Sequence, residues 1–161
     1  MQAHFPIRGV VLAGLAGGLA ELVWVGLCAG FGPLEASRVA HEVTASFVAT
    51  PMSAMSVWLG IAVHLLLALA VAFGFAALLW WPLARHRAPV LTWVLAAATL
   101  SAVWAVNFGV VLPVLNPAFV TLMPPGVTLA SKLLFGMSMA AVLTACTATL
   151  RAPNPQAPVR V

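Results

Sequence analysis

The chain has 161 residues, 63% of them hydrophobic and 6% charged, with seven basic and three acidic side chains and a formal net charge of +4. A soluble domain carries about 25% charged residues because water must wet its surface; so few charges cannot cover a water-soluble globule, and lipid must face most of the chain. The basic residues stand beside apolar runs rather than in one cluster, which argues against nucleic acid and for membrane topology.

Four apolar segments follow one another, at 10–31, 57–79, 90–112 and 127–150. Each is near the roughly 20 residues that cross about 30 Å of hydrocarbon at 1.5 Å per residue. The first follows Arg8 and is too long for the apolar region of a signal peptide. Its Val25-Gly26-Leu27-Cys28 also lacks the small residue that a lipoprotein signal places before its cysteine, so it reads as a retained helix. Between the first two segments, Pro33–Phe47 predicts a short amphipathic helix. Leu34, Val39, Val43 and Phe47 form its apolar side, and Glu35, Arg38, His41 and Glu42 its polar side. Glu35–Arg38 and Arg38–Glu42 have the spacing of an ion-pair ladder.

The second segment ends at Trp80-Trp81-Pro82, and the basic turn Arg85-His86-Arg87 then leads into the third. That turn is a topology determinant or a contact for anionic lipid. The third segment closes at Pro113, and Pro113–Gly126, with Asn116-Pro117 and Pro124-Pro125, reads as an ordered loop without regular helix. Arg8, Arg85, Arg87, Arg151 and Arg160 fall on one side of four spans, while the other side holds Arg38 outweighed by Glu35 and Glu42. Positive-inside reasoning makes the first side cytoplasmic, with both termini there and a bacterial inner membrane as the expected setting. Tryptophans agree: Trp80, Trp81 and Trp93 mark the inner interface, Trp58 the outer one, and Trp24 and Trp104 lie somewhat deeper on the outer side. The tail 151–161, with Pro153, Pro155 and Pro158, is expected to be disordered. The expected fold is therefore an all-α membrane protein, an antiparallel four-helix bundle over 1–150 with a short outer amphipathic helix between helices 1 and 2.

Ionisable groups inside spans carry the functional information, because each is costly in lipid unless paired or hydrated. Glu21, His64 and Lys132 are such groups, and Asn107 adds a strong amide. Counted from the outer ends, Lys132 and Asn107 lie about one and a half turns in, His64 about two and Glu21 nearly three. Glu21 shares a face with Gly14 and Gly18, His64 with Gly60 and Ala68, and Lys132 with Gly136, Ala140 and Thr144. Small residues mark faces where helices approach closely. A buried polar cluster opening outward is expected, with Glu21 paired to Lys132 or His64, and Glu35, Arg38, His41, Glu42 and Asn116 at its entrance or cap.

Such a cluster has two readings. It binds or passes a cation, proton or small polar ligand, with Glu21 as the anion and His64 as the titratable group. Alternatively it glues helices together in an accessory subunit of a larger membrane complex. A redox reading needs heme held by His64 with Met137, or a quinone hydrogen-bonded to His64. His4, His41 and His86 lie at the wrong depth to supply a second histidine. Copper(I) would need His41, Met52, Met55 and Met123 together. Paired carboxylates, a Gly-rich phosphate loop and a Cys/His metal quartet are missing from the sequence, and Ser101 and Ser131 are nucleophiles by type alone, so it makes no case for an enzyme. Cys28 and Cys146 lie near opposite ends of their helices, which argues against a disulfide between them. Besides the lipid bilayer, the expected partner is a second copy of the chain or a larger membrane complex.

Overall fold

The structure is a computed structural model that describes residues 5–32, 34–85 and 88–151. Among these residues all regular structure is helical: α1 (Ile7–Phe31), α2 (Ala36–Ala45), α3 (Ala54–Phe75), α4 (Pro89–Val106), α5 (Leu112–Leu115), α6 (Pro117–Leu122) and α7 (Pro125–Arg151). A π-helical stretch, Ala76–Ala84, continues α3, and a second, Asn107–Val111, joins α4 to α5. Four continuous helices are long and apolar enough to cross a membrane: Ile7–Phe31, Ala54–Leu83, Pro89–Leu115 and Pro125–Ala148. Each begins one to three residues before its apolar run, and three of them at chemistry suited to a helix start. Ser53 and Ser56 form a reciprocal capping box at α3. Pro89 and Pro125 open α4 and α7, where a missing N–H costs nothing.

The two π-helical stretches have one cause. Proline cannot donate to the carbonyl four residues back, and its ring crowds that carbonyl. Pro82 and Pro113 each impose this on the turn before them. The ladder widens in response, with Arg85 N–H reaching Trp80 O at 2.8 Å and Leu112 N–H bonding Asn107 O. The second span thus runs through Trp80-Trp81-Pro82 rather than ending there, and Arg85 then lies 3.7 Å over the Trp81 ring.

α1 packs against both α3 and α7, α4 packs on α7, and α2 lies along α3. The close approaches are made at glycines. Gly14 and Gly18 face Ala72 and Ala68 of α3, and Gly17 receives the flat of the Phe135 ring, which a Cβ there would meet at 2.9 Å. Gly136 faces the Ala96 backbone of α4. Along α1, rising residue numbers meet falling numbers on its neighbours: Gly14 with Ala72 and Gly18 with Ala68, then Gly17 with Phe135, Glu21 with Ser131 and Trp24 with Val127. The buried apolar core, including Val10, Phe75, Trp80, Leu100, Met139 and Leu143, fills the half of the molecule remote from α2. Cys28 and Cys146 are not joined by a disulfide.

Three expectations are corrected. Pro113–Gly126 is largely helical, because Asn116 caps rather than turns: its Oδ1 accepts from Phe119 N–H at 3.0 Å, and Pro117 supplies the first residue of α6. The helix expected over Pro33–Phe47 is shorter, Ala36–Ala45, with Glu35 as its extended N-cap. Its buried residues are Val39 and Thr44, whereas Phe47 lies beyond the helix and is 60% exposed. Pro33, His4, His86, Arg87 and the tail from residue 152 onward lie outside the described residues.

Replacing Asn116 by Ala removes both the α6 cap and the amide that binds Glu42. We expect a loss of about 2 kcal/mol, one part from the cap and one from the hydrogen bonds, read as a lower unfolding midpoint in mixed micelles. Thr121→Ala, which removes an exposed bond within α6, should leave that midpoint in place.

Candidate functional site

Glu21 lies in the middle of α1 and is 2% exposed. A carboxylate in such surroundings needs donors on every side. Two come from successive residues of α7: Ser131 Oγ donates to Oε1 at 2.7 Å, and Lys132 Nζ donates to the same oxygen at 2.6 Å. The third neighbour comes from α3, where His64 Nε2 lies 3.5 Å from Oε2. Lys132 and His64 keep 19% and 20% of their side chains exposed, so the carboxylate is sealed while its two partners border the surroundings.

The position follows from the backbones. Gly18, one turn before Glu21, brings α3 close enough for His64 Nε2 to come within 3.3 Å of Gly18 O. Gly17 admits Phe135, which sets α7 at the height where Ser131 and Lys132 reach Glu21. Two indoles hold the start of α7 at that register: Trp24 N–H donates to Val127 O at 3.0 Å, and Trp104 N–H donates to Thr128 Oγ1 at 2.9 Å.

The hydrogen-bond partners assign the His64 tautomer. Both groups facing Nε2, the Gly18 carbonyl and the Glu21 carboxylate, are acceptors, so Nε2 carries the ring hydrogen in neutral His64. Nδ1 is then left with its lone pair, and among the described residues no hydrogen bond reaches it. An imidazolium formed there would stand beside a carboxylate already shared with Lys132 and Ser131.

Glu21, His64 and Lys132 therefore come together, as expected of them. Asn107 does not join: among the described residues no hydrogen bond links its side chain to the three, and α4 packs chiefly on α7. Ser131, weighed in the sequence only as a nucleophile by type, is the member that residue-by-residue reading missed. It immediately precedes Lys132, and that adjacency to a cation inside the span is the available signal.

The expected entrance residues divide. Asn116 Nδ2 donates to Glu42 Oε2 and to Glu42 O, both at 3.0 Å, and lies 3.2 Å from Ser46 Oγ, tying α2 to the start of α6. His41 Nδ1 lies 2.9 Å from Ser56 Oγ, and Thr44 Oγ1 donates to Ser56 O at 2.5 Å, tying α2 to the start of α3. Glu35 and Arg38 are exposed, and among the described residues the ladder of Arg38 with Glu35 and Glu42 is not formed. Glu42 is occupied by Asn116 instead, since an amide held on a buried corner competes well with a solvated guanidinium.

The metal and heme alternatives fare as follows. His41 is engaged by Ser56, Met123 is buried, and Met52 and Met55 are exposed, so these four occupy different surroundings. Among the described residues no group of three His, Cys, Asp or Glu could hold a metal ion. Met137 is 53% exposed while His64 faces α1, so the two do not form an axial pair.

No protein-family model, curated protein or solved structure matches the chain. What its own residues establish is an all-helical protein with four helices long and apolar enough to cross a membrane.

Proposed function

We propose that this is a small integral membrane protein whose four spans form an antiparallel bundle, with α2 along its outer surface, both termini cytoplasmic and an outward-facing polar site that binds a proton. The opposed order of contacts along α1, α3 and α7 supports the bundle. The placement of Arg8, Arg85 and Arg151 at one end supports the orientation, with a bacterial inner membrane as its setting. The observation that carries the function is Glu21, buried between Lys132 at 2.6 Å and His64 at 3.5 Å, with no hydrogen bond to His64 Nδ1 among the described residues.

Of the ligands considered, a proton suits this arrangement best. Lys132 already neutralises Glu21, so a metal or organic cation would have to displace it, whereas a proton needs one lone pair. The inner half of the bundle supports binding over passage. Its core is mainly apolar, with Phe135, Leu100 and Ala68 nearest the site and Phe75, Trp80 and Leu143 beyond, and Thr92 as a buried hydroxyl. Among the described residues that core holds no Asp, Glu, His or Lys on which a proton or ion could rest.

Ring-nitrogen NMR of the protein in lipid nanodiscs tests the proposal. The expected result is a His64 Nδ1 resonance that titrates with one proton between pH 4 and 9, on a curve displaced in Glu21→Gln and absent in His64→Ala. Vesicles holding a pH-sensitive dye should show no proton flux from any of the three proteins. A His64 ring that keeps one protonation state throughout, in folded protein, would sink the proposal.

A second reading is favoured by one specific observation: each contact of Glu21 joins α1 to another helix. On that reading the cluster serves packing within an accessory subunit or homo-oligomer. Glu21→Gln and Lys132→Met would then reduce the yield of assembled complex and leave activity per complex intact.

A further inference from the structure

A groove of about 300 Å³ is lined by Trp104, Ala105, Phe108, Gly109, Val120, Met123 and Pro125, none of which belongs to the Glu21 cluster. Its walls are held in place. Trp104 is fixed by its bond to Thr128, Phe108 stacks on Trp104 with centroids 6.4 Å apart, and Phe119 lies 6.1 Å beyond Phe108. Its floor opens at Gly109, in the wide π-helical turn, where an added Cβ would meet nothing within 4 Å. None of the lining side chains is charged, and Trp104 spends its N–H on Thr128.

We infer that this groove seats one acyl chain of an outer-leaflet phospholipid. Three observations select that occupant. Gly109 lies six residues before the end of α5, about 9 Å below the end of the span, a depth at which acyl methylenes rather than headgroups are found. The span Pro89–Leu115 is the least buried of the four, with 11% of its apolar window inside the molecule, so the groove is continuous with a lipid-facing surface. A lipid headgroup is disfavoured as the occupant, because none of the lining side chains is charged and the Trp104 N–H is already bonded to Thr128. A chain in this seat would pack on the aromatic wall, with Met123 as the adaptable contact.

The test uses full-length protein in nanodiscs of phosphatidylcholine brominated in the upper part of one acyl chain. Bromine quenches nearby indoles, and the Trp104 share is obtained by difference from Trp104→Phe. Gly109→Leu fills the groove and, because nothing crowds that position, should fold; Ala105→Leu fills it from a second exposed position should the first fail. Filling the groove should reduce Trp104 quenching at least twofold and remove one retained lipid in native mass spectrometry. Val110→Leu, exposed and outside the lining, should change neither. Unchanged quenching and lipid count in a folded groove-filling variant overturn the inference. So does a groove-filling variant that loses self-association instead of lipid, since the occupant would then be a second copy.

Discussion

Lys132→Met is expected to destabilise the folded protein by about 3–5 kcal/mol, the cost of leaving a buried charge without its partner. Glu21 is sealed, and its Oε1 would keep only the Ser131 hydroxyl. The reciprocal change should be milder. In Glu21→Gln the ammonium is the group left over, and Lys132, already 19% exposed on a flexible stem, can turn toward the polar edge of the membrane. About 1–2 kcal/mol is expected there, the worth of hydrogen bonds to a charged group. Combining the two changes should recover most of the Lys132→Met loss, a coupling of at least about 2 kcal/mol. Unfolding titrations of the four proteins in mixed micelles measure this cycle. Strict additivity would mean that the 2.6 Å contact carries no energy and that neither the packing nor the proton-binding reading of the cluster is right.

Gly60→Val is expected to detach α2 from α3 and to cost about 3 kcal/mol or more. A Cβ at Gly60 would overlap Ala40 O and fall 2.8 Å from Ala40 C, and both atoms belong to helical backbone. A rotamer change relieves overpacking against a side chain, at a cost of about 1–3 kcal/mol; a carbonyl moves only with its helix. Lifting α2 would also break Thr44 to Ser56 O and His41 to Ser56, and loosen Asn116 from Glu42. Hydrogen exchange should therefore rise across 36–45 while the inner core stays protected. Gly74→Ala is the control. Nothing lies within 4 Å of a Cβ there, and relief of glycine's helix penalty should add up to about 1 kcal/mol. Equal effects from the two substitutions would show that α2 does not pack on α3 through Gly60.

These predictions separate what reading along the chain can reach from what it cannot. The four spans were legible because crossing lipid is a one-dimensional demand of length and hydropathy, met or failed within each segment. The convergence of Glu21, His64 and Lys132 was legible for a related reason. An ionisable group in an apolar span has few tolerable surroundings, and glycines one turn away show where a neighbour can approach. Ser131 escaped because a hydroxyl in a helix can satisfy itself on its own backbone, so its type announces no partner. Arg38 misled for the opposite reason: its spacing to Glu35 and Glu42 allows pairs that water renders nearly worthless.

Composition and periodicity alone thus determined that the chain is helical, that four segments are built for lipid, and that three charged or titratable groups must find partners within them. Only the tertiary structure decided which partners they find. It set two α7 donors on one oxygen of Glu21 and His64 on the other, left Asn107 outside the cluster, and turned Pro113–Gly126 from loop into capped helix. The reason is that helix faces repeat every 3.6 residues in each segment separately, whereas the rotation and height of one helix against another depend on side chains from both.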